Sequence, residues 1–166
     1  MVCRTDPCTL CDLALLAYCD YGALSAKEQS MLLGNVLETL SPGGLMILDV
    51  FSEMRYRSAC NGSKWEAEAD GGLWHPVAYL CLEEQILYPP NVILNRYIVL
   101  SAENVKRYNV WTTCFDAESL RKETDRAGFE VLHLADDLCR APFTGQDETI
   151  AVVLRKTSSK QDFPAL

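Results

Sequence analysis

Positive charge is scarce in this 166-residue chain: 15 lysines and arginines stand against 23 aspartates and glutamates, for a formal net charge of −8. A phosphate backbone needs several cations on one face, and no basic cluster occurs, so nucleic acid is not an expected partner. Long apolar runs are missing as well. None approaches the ~20 residues needed to cross a bilayer. Residues 13–17 are bracketed by Asp12 and Asp20 instead of a cationic flank and a cleavage site. Neither a membrane span nor a targeting peptide is expected, and the expected compartment is the cytoplasm. Histidine occurs only at positions 75 and 133. No G-x-S-x-G, H-E-x-x-H or phosphate-loop pattern is present, so hydrolase and nucleotide-hydrolase readings have no support.

With 49% hydrophobic residues the chain can bury one ordinary core. Residues 1–156 are expected to form a single domain, and 157–166, polar with a proline, a disordered tail. Eight cysteines raise a metal or redox reading. Cys3, Cys8 and Cys11 have C-x4-C-x2-C spacing, which superficially matches part of an iron–sulfur pattern, and Cys8 and Cys11 form a C-x-x-C. A thioredoxin-like site needs a strand before the motif and a helix opening at it, whereas here the strand follows. Cys60, Cys81, Cys114 and Cys139 stand singly, as core-filling thiols do. Reduced thiols and no metal are expected.

Residues 11–51 carry the organisation of the chain. The apolar run within 12–19 has the pattern of a strand covered on both faces, a central parallel strand. Ser25 and Glu28 form a capping box and start a helix whose Met31, Leu32, Leu33, Val36, Leu37 and Leu40 recur at helical spacing. Ser41-Pro42-Gly43-Gly44 stops that helix, and 45–51 is the next buried strand. A right-handed crossover sets the strand tips, 18–22 and 49–52, side by side at the edge where open α/β sheets bind ligands.

This stretch, with Leu40-Ser41-Pro42-Gly43-Gly44 between two buried strands, resembles the central part of class I S-adenosylmethionine-dependent methyltransferases, from the fourth strand through the fifth. Later residues are similar too. Phe115-Asp116 opens a helix that ends at Ala127-Gly128-Phe129, a strand at 130–134 follows, and 149–155 resembles the family's closing antiparallel strand. The family's opening strand and glycine-rich loop have no counterpart: no G-x-G occurs, and only residues 1–11 precede the first strand. The expected fold is therefore α/β, a partial Rossmann-like methyltransferase sheet of parallel strands with an antiparallel last strand. Between the fifth strand and the last helix, 64–113 reads as an antiparallel insert of four β-rich runs separated by Gly71-Gly72 and Pro89-Pro90-Asn91.

The resemblance implies methyl transfer from S-adenosylmethionine to a small-molecule acceptor. Tyr18, Cys19, Asp20 and Tyr21 would contact the cofactor, and Asp20 or His75 would take a proton. Asp49, Phe51, Tyr108 and Trp111 would line the acceptor side. Aromatic residues of the insert, Trp65, Trp74, Tyr79 and Tyr97 among them, either join that lining or fill the space between insert and sheet. His133, in a strand, is expected to be structural. The alternative is a non-catalytic module acting in dimerisation or partner binding. Without the preceding strands, the strand after Cys11 becomes an exposed apolar edge, which predicts a homodimer or a partner chain.

Overall fold

The computed structural model describes residues 10–139 and 142–157. Cys3, Cys8 and the tail after Thr157 lie outside the described residues. The chain opens with β1 (Cys11–Leu16), a short 3-10 helix (Asp20–Ala23), α1 (Ala26–Thr39) and β2 (Leu40–Phe51). The α1 cap is the expected one: Glu28 donates its amide to Ser25 Oγ at 3.4 Å, and Glu28 Oε2 accepts the Ser25 amide at 2.9 Å. The helix stop differs from expectation. Leu40 is already extended, since a helix cannot run on through Ser41 ahead of Pro42. The turn then becomes an excursion within β2, where pairing to β1 jumps from Cys11 opposite Leu40 to Leu13 opposite Leu45, and Gly43 takes φ 74°.

After a short α2 (Glu53–Ser58), the four expected β runs of the insert appear as β3 (Gly62–Glu68), β4 (Tyr79–Tyr88), β5 (Val92–Ser101) and β6 (Val105–Thr113), a purely antiparallel sheet in chain order. Phe115, Asp116 and Leu120 then start α3 (Ala117–Arg126), with Asp116 Oδ1 accepting the Ser119 amide at 2.7 Å. Gly128, at φ 95°, turns the chain into β7 (Phe129–Ala135), and β8 (Thr149–Lys156) closes the first sheet. That sheet has the order β1-β2-β8-β7, with β1 and β2 parallel and β8 antiparallel to both its neighbours.

One side of this sheet holds the main core. Met46, Leu48 and Val50 of β2 and Ile150, Val152 and Leu154 of β8 pack with Leu33 of α1, Leu120 of α3 and the ring of Tyr21. β1 departs from expectation. It spans Cys11–Leu16 and, among the described residues, is the end strand, the exposed edge expected where no strand precedes it, but it is not covered on both faces, with Leu13 54% and Leu15 64% exposed. Its Cys11, Ala14 and Leu16 pack against the core. An unbroken apolar run carries no alternation to distinguish one covered face from two. The second sheet has its own smaller cluster, Tyr79, Cys81 and Val99 with Trp74 and Tyr97.

Candidate functional site

The tips of β1 and β2 meet as the crossover predicts. Beyond Leu16 the chain makes a turn in which two successive non-glycine residues, Tyr18 (φ 73°) and Cys19 (φ 59°), take the left-handed conformation. Such residues cost free energy and persist only where their surroundings hold them. The holding group is Asp49, near the end of β2, whose Oδ1 accepts the Cys19 amide at 2.9 Å. The turn leaves Tyr18 91% exposed and sends Asp20 to solvent at the start of the 3-10 helix. Cys19 itself is buried. Burial foremost, and then Asp49 beside it, push its thiol up to about 12, so it stays a neutral thiol.

Tyr21, expected at the cofactor, turns its side chain inward. Its side chain is fully buried, with its ring 5.7 Å from that of Phe115 and its hydroxyl donating to Glu123 Oε1. Burial first and the Glu123 bond second raise its phenol well above the ordinary range. Its carbonyl accepts from the buried Gln29 side chain at 3.1 Å. Tyr21 therefore anchors the tip to α1 and α3. Gly22 completes the anchor, because a Cβ there would stand 2.5 Å from the Thr113 carbonyl oxygen. Only glycine admits the end of β6 so close.

That approach brings part of the second sheet to the strand tips. A cavity of about 400 Å³ is lined by Gly22, Leu24, Ser25 and Glu28 on one side and Val92, Trp111 and Thr113 on the other. Trp111 packs at 5.4 Å against Tyr88 and stays partly exposed. Tyr108, expected beside it, lies three residues away on a regular strand and so projects from the other face. It stacks at 5.2 Å on Trp74, which also touches Tyr97 at 4.8 Å. Trp74, Tyr79 and Tyr97 thus serve the packing of the second sheet, and Trp65 is exposed on β3. His75 sits in the loop of Trp74. Its Nδ1 accepts the Val77 amide at 3.4 Å, and its carbonyl accepts the Gly72 amide.

The far side of the β2 tip is tied down. Across the Ser52–Phe115 bridge the Phe115 amide donates to the Phe51 carbonyl at 2.8 Å and the Phe115 carbonyl accepts the Glu53 amide at 2.9 Å, and the Arg55 guanidinium lies 5.6 Å over the Phe51 ring. Arg55 also pairs with Glu148 at 2.9 Å, and Ser58 donates to the same carboxylate at 2.6 Å. These bonds, Ser58 first and then Arg55, hold the Glu148 carboxyl below its usual range. Among the described residues, no group of three His, Cys, Asp or Glu side chains is gathered for a metal ion.

No family model matches this chain, and neither does any curated protein sequence. Solved structures do match. An S-adenosylmethionine-dependent methyltransferase from Clostridium acetobutylicum superposes with a TM-score of 0.66 at 14% identity over 93% of this chain and 62% of its own. The CcbJ methyltransferase of Streptomyces caelestis gives 0.63 at 18% identity over 90% and 59%. The sugar N-methyltransferase KedS8 of a Streptoalloteichus species gives 0.58 at 18% over 93% and 60%. The fold is that of the S-adenosylmethionine-dependent methyltransferases.

The chain spans about three fifths of the length of these methyltransferases. Within the methyltransferase sheet, the turn held by Asp49 stands at the carboxyl ends of two adjacent parallel strands, the usual ligand edge of such sheets. Glu28 and Gly22 were read from sequence only as a cap and as part of a strand tip. Their place in a cavity depends on β6, about ninety residues further along the chain, and no local signal carried it.

Proposed function

We propose that this chain serves S-adenosylmethionine-dependent methyl transfer to a small-molecule acceptor at the edge where β1 and β2 end. The observation that carries this reading is a strained, tightly held turn at the ligand edge of a methyltransferase fold. S-adenosylmethionine, when bound, supplies a methyl group activated by its sulfonium. The exposed Tyr18 ring and the backbone at Cys19 would flank it, and Asp20 would take the proton released as the acceptor's lone pair forms its bond to the methyl carbon. Of the two expected bases, Asp20 is the one at the strand tips, while the His75 ring is engaged in its own loop. Phe51 and Trp111 would bound the acceptor side, and Asp49 would act by holding the turn. We take the first sheet and the insert as one working unit, with the insert supplying Trp111.

For the acceptor we favour an amine-bearing sugar or a similar polar ring. Trp111 and Glu28 both line the cavity, a pairing of indole and carboxylate that suits a cationic, partly apolar ring, and KedS8 is a sugar N-methyltransferase. Calorimetric titration with S-adenosylmethionine and S-adenosylhomocysteine tests the first half of this reading, with micromolar binding as the expected result. Asp20→Asn should leave that binding within a few-fold and lower turnover by about 100-fold or more. A folded sample that binds neither ligand would instead favour the second reading, a non-catalytic module for dimerisation or partner binding. The open β1 edge speaks for that reading.

A further inference from the structure

Of the described residues that line the cavity at the strand tips, Glu28 alone carries a charge. Both of its capping bonds fall on one oxygen. Oε2 accepts the Ser25 amide at 2.9 Å and the Ser25 hydroxyl at 2.6 Å, and Oε1 has no partner among the described residues. The hydroxyl first, and then the amide, hold the carboxyl below its usual range, so it stands ionised at neutral pH. The positive end of α1 is thereby answered by a charge of its own first turn. On the other side of the cavity, strand register puts Tyr88, Val92 and Thr113 in one row and Leu94 and Trp111 in the next, on one face of the second sheet. Tyr88 and Trp111 meet there at 5.4 Å with their planes 47° apart, an open corner of two rings that are 41% and 46% exposed. A carboxylate with aromatic faces is the chemistry that takes a compact organic cation, because the negative face of each ring attracts it and the carboxylate balances its charge.

We propose that Glu28, Trp111 and Tyr88 form a subsite for an ammonium group of the acceptor that stays charged throughout, so that the nitrogen held there is not the one methylated. Methyl transfer needs a lone pair on the attacking atom, and an ammonium has none. An ionised carboxylate beside an amine favours its protonated form, so a nitrogen in this corner is kept from attacking. The acceptor therefore carries two groups. One is a cation that serves as a handle, and the other is a separate neutral hydroxyl or amine that attacks and gives its proton to Asp20. An acceptor with a single amine would be bound here in its unreactive form. The inference deepens the acceptor reading above and rests on it, by assigning the cation of that acceptor to recognition and not to reaction.

Calorimetric titration of the full chain with choline and with its uncharged isostere 3,3-dimethyl-1-butanol, at constant ionic strength and without S-adenosylmethionine, tests the subsite. Choline is expected to bind about tenfold more tightly or better. Glu28→Gln keeps an oxygen for the Ser25 cap, so it should leave the thermal midpoint in place and lower choline affinity by about tenfold. Trp111→Leu, at an exposed position, should lower it by about fivefold or more. Glu118→Gln, on the exposed side of α3, controls for the diffuse pull of an acidic surface and should change nothing. The protonation state is read with 2-dimethylaminoethanol, the titratable analogue of choline, at pH 6 in two buffers of unlike ionisation enthalpy. It should bind as choline does and release no proton. The proposal is overturned if choline does not bind, if the isostere binds as tightly, or if Glu28→Gln costs no more than Glu118→Gln. It is equally overturned if 2-dimethylaminoethanol fails to bind or gives up a proton on binding, since the corner would then hold a neutral amine ready to attack. A chain that binds S-adenosylmethionine but not choline keeps methyl transfer and loses only this subsite, whereas one that binds choline alone keeps the cation site and loses its place in methyl transfer.

Discussion

The amide of Cys19 donates to Asp49 Oδ1 across 30 residues of sequence, and this single bond ties the tip of β1 to the end of β2. The donor belongs to a buried residue in a left-handed turn, so losing the acceptor both strands a buried N–H and releases strained backbone. Asp49→Ala should therefore destabilise the fold by about 1–3 kcal/mol, the cost of an unsatisfied buried donor. Asp49→Asn keeps a carbonyl acceptor and should cost less. Urea unfolding of the two variants settles the order, and equal stability of Asp49→Ala and the parent would show that the bond does not hold the turn.

Gly22 and Gly34 make a matched pair. A methyl at Gly22 would meet the Thr113 carbonyl oxygen at 2.5 Å, a backbone atom that cannot step aside, whereas nothing lies within 4 Å of a Cβ at Gly34 in the middle of α1. Gly22→Ala should cost about 1–3 kcal/mol through overpacking. Gly34→Ala should add about 0.5–1 kcal/mol, the helix preference of alanine over glycine. Thermal midpoints that move in opposite directions are the expected result. A neutral Gly22→Ala would mean that β6 can draw back from the tip.

Tyr21→Phe separates a core residue from a ligand contact. The substitution removes the hydroxyl that donates to Glu123 and keeps the ring against Phe115, so a loss of about 1–2 kcal/mol in stability is expected, with the affinity for S-adenosylmethionine unchanged. An affinity that fell while stability held would return Tyr21 to the cofactor side.

The strand, helix, strand unit was legible because its signals are local. Ser25 and Glu28 sit at cap spacing, Pro42 forbids further helix, and Phe115, Asp116 and Leu120 fall in the order of a staple and cap. The insert's four strands were legible from β-rich runs and paired breakers. What stayed hidden depends on orientation. Tyr18 and Tyr21 are the same residue type three positions apart, yet one is nearly free and the other fully buried, and only the left-handed turn between them decides which. Neither Tyr nor Cys advertises positive φ as Gly or Asn would. Likewise, Tyr108 and Trp111 both looked like lining residues, but strand parity sends them to opposite faces.

Asp136 fixes the loop that leads into β8, and it does so as a carboxylate. It accepts from the Thr144 amide at 3.0 Å, the Thr144 hydroxyl and the Gly145 amide at 3.3 Å, while its own carbonyl accepts from Thr149 Oγ1 at 2.6 Å. The Thr144 hydroxyl first, and then the two backbone amides, hold its carboxyl below the ordinary carboxylate range. A group whose folded pKa lies below its unfolded value contributes stability above the unfolded value, about 3.9 for aspartate, and that stability is lost as pH falls through the folded value. The parent should therefore lose stability on the acid side of about pH 4. Asp136→Asn, which has no proton to gain, should be less stable at neutral pH and show a flatter acid limb. Denaturant midpoints taken from pH 6 down to pH 3 give both readings, and parallel curves for parent and variant would remove Asp136 from the acid response and leave Glu148, held down in the same direction by Ser58 and Arg55, as the group to replace next.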